Sequence, residues 1–180
     1  MRQLLDQARL ARFLEALGGA AKGPGRVYLT GGATAVWYGW RRTTIDIDCR
    51  FDPEPPGVFE AVARLKDELD VNVELASPLD FLPEVPGWRE RSRFVQRFGS
   101  VDVFQFDPVS QILAKLARGY ERDLLDARAL VASGLVSPAE LAAAFTAVEP
   151  LLMRFPRLDA PKFRERVAAF VAQMGGGPTP

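Results

Sequence analysis

Apolar residues recur at helical spacing through Leu4, Leu5, Ala8, Leu10, Ala11, Leu14 and Leu17 and stop at Gly18-Gly19, which predicts a helix over residues 3 to 18. Gly23-Pro24-Gly25 then turns the chain into a short apolar strand, Val27 to Leu29, followed by Thr30-Gly31-Gly32 and a helix of small residues. A second strand alternates Ile45-Asp46-Ile47-Asp48, and its period of two sends Ile45 and Ile47 to the core and both aspartates to the other face. Beyond the proline-rich stretch 53–56, a helix is expected from Val58 to Leu69, with Phe59, Val62 and Leu65 inside. Val71 to Leu75 alternates apolar residues against Asn72 and Glu74 and reads as a third strand. Segments 93–97 and 100–106 flank Gly99 as a hairpin, with Val101 and Val103 set against Asp102 and Gln105.

From Pro108 the pattern turns helical, with Asp107 as cap and an apolar stripe through Ile112, Leu113, Leu116, Tyr120, Leu124, Ala127 and Val131. If that helix runs on through Gly119, then Lys115, Arg118, Arg122 and Asp126 share a neighbouring face. Ser137-Pro138-Ala139-Glu140 is a capping box that opens a helix from Leu141 to Arg154, and Asp159 caps another that ends near Met174. Strands alternating with helices and then helices alone predict an α/β (α+β) fold: a mixed sheet flanked by helices over residues 1–107, a helical part over 108–174 and a frayed tail over 175–180.

Composition narrows the chemistry. A hydrophobic share of 48% and a charged share of 26% belong to an ordinary globular chain. Lys plus Arg and Asp plus Glu both number 23, which argues against a strongly basic nucleic-acid surface, although Arg89, Arg91, Arg93 and Arg97 cluster locally. No apolar run approaches the ~20 residues that span a bilayer, and the N-terminus has no signal-peptide block, so a cytoplasmic protein is expected. Cys49 stands alone and is expected to be a buried, apolar-like residue. Without histidine there are no Ser-His triads and few zinc sites, which leaves carboxylates, lysine and a hard cation.

The segment from Tyr28 to Asp48 gathers what remains. Gly31 and Gly32 let an anion approach the backbone amides at the start of a helix. Asp46 and Asp48, about 7 Å apart along one strand face, form half of a divalent-cation site. A triphosphate on the turn, bridged by Mg2+ to the aspartates, is the chemistry these two features suggest together. Residues 80–88 form a long loop, read as a pocket wall or lid, with Trp88 packed beneath it or stacked on a base.

Strand, Gly-Gly, helix, then Asp-x-Asp on the next strand resembles the nucleotidyltransferase fold of polymerase beta-type enzymes. Gly31-Gly32-Ala33-Thr34-Ala35 and Arg41-Arg42-Thr43-Thr44-Ile45-Asp46-Ile47-Asp48 are similar to small bacterial nucleotidyltransferases, including the toxin-like branch of toxin-antitoxin pairs. Many members carry Gly-Ser at the turn; here Gly31-Gly32 lacks that hydroxyl, and Thr30 or Thr34 stands in for it. The resemblance implies a third carboxylate on a neighbouring strand, with Glu74 the best match, Asp80 a rival and Asp102 a weaker one. It also implies nucleotide contacts from Arg42 and from the stretch Lys115 to Asp126, carried to Lys115 and Asp126 and less firmly to Arg118 and Asp123. The implied activity is transfer of a nucleoside monophosphate from an NTP to a hydroxyl on tRNA or other RNA, protein or a small molecule. Mg2+, or Mn2+ in its place, would be held by Asp46, Asp48 and Glu74, and an antitoxin would be the partner. An inactive binding module on the same fold is the alternative.

Overall fold

The computed structural model describes residues 4–176, and the chain divides into two compact units, Met1–Ser77 with Ser92–Phe106 and Pro78–Arg91 with Asp107–Pro180. The first unit is built on a five-stranded mixed sheet. Its strands are β1 (Gly25–Leu29), β2 (Asp46–Phe51), β3 (Asn72–Glu74), β4 (Arg93–Phe98) and β5 (Val101–Gln105), in the order β3-β2-β1-β5-β4. β1 runs antiparallel to β2 and parallel to β5, β2 is parallel to β3, and β4 and β5 form the expected hairpin. Helices α1 (Gln7–Ala20), α2 (Gly31–Trp37) and α3 (Val58–Glu68) accompany it. Asp6 caps α1 by accepting from the Arg9 amide, so the helix starts later than the apolar pattern suggests and runs through Gly18-Gly19. Leu10, Phe13, Leu14 and Leu17 of α1 join Val27, Leu29, Ile47, Cys49, Val62, Val73 and Val103 in one buried cluster. That burial is the main force holding the sheet to its helices.

Several expectations change here. Ile45 is 57% exposed, not in the core: β2 begins only at Asp46, and Ile45 occupies the bend after Thr44, which bridges to Leu5. Phe59 and Leu75 are exposed as well, because α3 buries Val58, Ala61, Val62 and Leu65 while β3 stops at Glu74. Gln105 does not face away from Val103. Two residues along one strand share a face, and Gln105 is buried, with neither amide atom hydrogen-bonded among the described residues.

The second unit is helical: α4 (Trp88–Arg91), α5 (Pro108–Arg118), α6 (Glu121–Ala132), α7 (Pro138–Val148) and α8 (Ala160–Gly175), with short 3-10 segments at Pro78–Asp80 and Glu149–Arg154. α5 packs on α6, α7 and α8, and the Phe145 and Phe163 rings meet edge to face at 5.1 Å between α7 and α8. The stripe beyond Pro108 is not one helix. Gly119 takes φ +72°, a left-handed cap that ends α5, so Tyr120 leaves the apolar face and is exposed. The capping box at Ser137 and the Asp159 cap form as expected, but α7 ends at Val148 and continues as the 3-10 turn. Trp88 is buried, which makes it a packing residue. Of the tail expected to fray, residues 177–180 lie outside the described residues. No described helix is long and apolar enough to cross a membrane.

Candidate active site

In the first unit the Gly-Gly turn and the Asp-x-Asp strand are direct neighbours. The Thr30 amide donates to the Asp48 carbonyl at 2.9 Å, which extends the β1–β2 ladder up to the residue just before α2. Gly31 follows at φ +56°, and a Cβ there would strike the Asp48 carboxylate. A Cβ on Gly32 would strike the Thr44 hydroxyl and stand 3.4 Å from Arg41 Nη1. Both glycines are therefore required by close approach, and Gly31 by its backbone angle as well. They let a carboxylate, a hydroxyl and a guanidinium converge on the turn.

Asp46 and Asp48 are both half-buried, while Ile47 and Cys49 between and after them are buried. Register then aligns β3 beside them, Asn72 opposite Asp46 and Glu74 opposite Asp48. Asn72 Nδ2 donates to Asp46 Oδ1 at 2.6 Å and to Glu74 Oε1 at 3.3 Å, so one amide links two of the acids. Glu74 itself is exposed. Among the described residues no group of three or more Cys, Asp or Glu side chains is assembled closely enough to hold a metal ion. Burial pushes the Cys49 thiol up to about 12, with the Asp48 charge adding to it, which leaves the cysteine an inert core residue.

The other expected residues fall in specific places. Thr30 Oγ1 donates to the Ala76 carbonyl at 3.1 Å and Thr34 Oγ1 to the Leu29 carbonyl at 3.2 Å; both are buried, so these hydroxyls brace the turn. Arg42 is exposed on the loop after α2. Asp102 sits opposite Arg26, toward the end of β1 away from Gly31, in a two-point ion pair with Arg97 that holds its carboxyl below the usual range. Lys115, Arg118 and Asp126 lie in the second unit, as does Asp80. There Lys115, 4% exposed, donates to Asp126 at 2.7 Å and to Asp123 at 3.5 Å. Arg118 grips Asp123 through Nε at 3.0 Å and Nη2 at 2.8 Å. These four side chains form one ion-pair cluster.

Sequence reasoning did not single out Arg41, Thr44 or Asn72. Asn72 had a signal, its place on the polar face of β3. Arg41 and Thr44 lay within the resembling motif, but a loop carries no periodicity to say which of its residues turns inward.

A mixed sheet with a Gly-Gly turn beside paired strand aspartates defines the nucleotidyltransferase class. Residues 8–167 match the family described as nucleotidyltransferase of unknown function (DUF6036), and the chain belongs to that family. No curated protein and no solved structure matches it.

Proposed function

We propose that this chain is a metal-dependent nucleotidyltransferase that moves a nucleoside monophosphate from an NTP to a hydroxyl acceptor. The observation that carries the reading is the Asp48 carboxylate lying against Gly31, on the strand face it shares with Asp46. Two half-buried carboxylates on one face are oxygen ligands of the kind Mg2+ takes, and Glu74, in register on β3, is the acid that would have to close on them to complete the set. Bound there by Asp46, Asp48 and Glu74, Mg2+ or Mn2+ would neutralise triphosphate charge and lower the pKa of the acceptor hydroxyl.

The chain's own residues do the positioning. The Gly31-Gly32 turn is the proposed phosphate contact, its missing side chains allowing close approach to the backbone, and Arg41 adds a charge at the same turn. α2 has only seven residues, so these groups matter more than its helix field. Asn72 fixes the Asp46 carboxylate, and Thr30 and Thr34 hold the turn that carries the glycines. The acceptor oxygen attacks the α-phosphorus in line, its proton passing to a base for which Glu74 is the candidate, and pyrophosphate departs. Arg42, Lys115, Arg118 and Asp126 enter as nucleotide contacts on the resemblance alone. So do an RNA, tRNA, protein or small-molecule acceptor, an antitoxin partner and a toxin role.

Calorimetry with each of the four NTPs and Mg2+ tests this. Metal-dependent binding of one nucleotide that disappears in Asp46→Ala/Asp48→Ala, with the circular dichroism unchanged, is the expected result; metal-dependent binding that persists in the double variant refutes the site. A second reading, an inactive nucleotide-binding module, draws on the absence, among the described residues, of three acids grouped closely enough to hold a metal ion. Absence of Mn2+ affinity at millimolar concentration would favour it.

A further inference from the structure

The second unit has a cleft of its own, about 490 Å3, formed where the end of α5 and the Pro78–Asp80 turn meet the chain entering α8. Its walls carry Arg118, Arg154 and Arg157, the rings of Phe81 and Phe155, and one carboxylate, Asp80. The volume lies within the ~300–1,000 Å3 typical of small-ligand sites.

Each wall has a local cause. The left-handed turn at Gly119 ends α5 one residue after Arg118, leaving that side chain at the rim, where Asp123 fixes it through two hydrogen bonds. Its guanidinium lies 5.4 Å from the centroid of the Phe81 ring. Arg166 of α8 donates to the carbonyls of Leu116 at 3.3 Å and Ala117 at 2.9 Å, tying α8 to the end of α5 and bracing the opening. Arg154 and Arg157 are different: both are exposed, and neither makes a hydrogen bond or ion pair among the described residues. Two unpaired arginines thus flank a cleft with two accessible aromatic rings.

This combination selects its ligand. Guanidinium forks match phosphate oxygens in bidentate geometry, and aromatic rings in reach of water offer faces on which a planar base stacks. An acidic peptide would use the arginines and leave the rings unused, and an apolar ligand the reverse. We propose that this cleft binds a nucleoside phosphate unit, its base against Phe81 and Phe155 and its phosphate on Arg154 and Arg157. The unit is either a free nucleotide or the terminal nucleotide of a single-stranded RNA. Asp80 keeps further phosphate away from its end of the cleft and accepts from base or sugar donors. The site uses neither Asp46 nor Asp48, so it stands or falls apart from the transfer chemistry.

Fluorescence anisotropy of a short, end-labelled single-stranded RNA on the full chain, in EDTA, reads it directly. Arg154→Glu/Arg157→Glu should weaken binding at least ~10-fold and flatten the salt slope by about 0.7, the loss of one neutralised phosphate. An abasic oligonucleotide of equal charge should bind several-fold more weakly. Displacement by AMP assigns the site to free nucleotide; failure of millimolar AMP to displace assigns it to an RNA end. Unchanged affinity in the folded double variant overturns the proposal, as does equal binding of the abasic strand or no binding by the wild type. Asp46→Ala/Asp48→Ala should bind as the wild type does, and its failure to do so would show that the RNA sits elsewhere.

Discussion

A single methyl group added at Gly31 meets two obstacles, a backbone at φ +56° and the carboxylate of Asp48. The first costs about 1–2 kcal/mol for a residue with a Cβ. The second forces Asp48 off the turn. Gly31→Ala should therefore lose about 1–2 kcal/mol in urea denaturation and lose metal-dependent nucleotide binding altogether, a larger effect than the stability change explains. Gly19 is the contrast, an exposed α1 glycine with nothing within 4 Å of an added Cβ. Gly19→Ala should stabilise by about 0.5–1 kcal/mol through reduced unfolded-state entropy and leave binding unchanged. Cys49 makes a residue-scale prediction in pH. With its thiol pushed to about 12 against an ordinary 9.0, the folded state holds the proton more tightly than the unfolded chain. That contribution is fully present below pH 9 and fades as pH rises toward 12. A thiol-reactive reagent at pH 8 should accordingly label the native protein negligibly and take up one equivalent per chain once urea unfolds it.

At the scale of elements, α5 depends on one buried cap. The Asp107 side chain is fully buried, accepts from the amides of Val109 and Ser110 and from the Ser110 hydroxyl, and receives both arms of Arg91 at 2.9 and 2.8 Å. The same contacts raise the Arg91 pKa, first through the hydrogen bond to Asp107. Removing the guanidinium leaves a buried carboxylate with only neutral donors. Because a third of Arg91 faces water, Arg91→Met should cost about 2–3 kcal/mol, below the ~3–5 of a fully buried pair, as read from thermal unfolding. Local signals of this kind were legible: Asp107, Ser137 and Asp159 all cap helices, Gly99 turns the hairpin, and the period of two put Asp46 and Asp48 on one face. What periodicity could not supply is where an element stops and which neighbour covers it. Ile45 lies one residue before β2, Leu75 one residue after β3, and Tyr120 just beyond a helix break; each continues an apolar pattern that its own backbone has already left. Arg41 and Arg42 are adjacent and alike, and only the path of the loop decides which one reaches Gly32.

Across the whole molecule, the chain leaves its first unit at Pro78, re-enters at Ser92 and leaves again after Phe106. The aspartate pair belongs to the first unit and the arginine-lined cleft to the second, so the two proposed sites can be separated by linkage. A ligand that binds only the folded state at 100 times its Kd stabilises by about 2.7 kcal/mol. For a chain of 180 residues each kcal/mol moves Tm by roughly 2–4 °C, so saturating Mg2+ and the cognate NTP should raise it by about 5–11 °C. Asp46→Ala/Asp48→Ala should abolish the Mg2+-dependent part of that shift, and Arg154→Glu/Arg157→Glu should keep that part, since its substitutions lie on exposed, unpaired side chains outside the metal site. A shift lost in the arginine variant and kept in the aspartate variant would mean that the NTP itself occupies the arginine cleft. A Mg2+-dependent shift kept in both variants would remove Asp46 and Asp48 from nucleotide binding and leave Gly31, Gly32 and Arg41 as the phosphate contacts still to be tested.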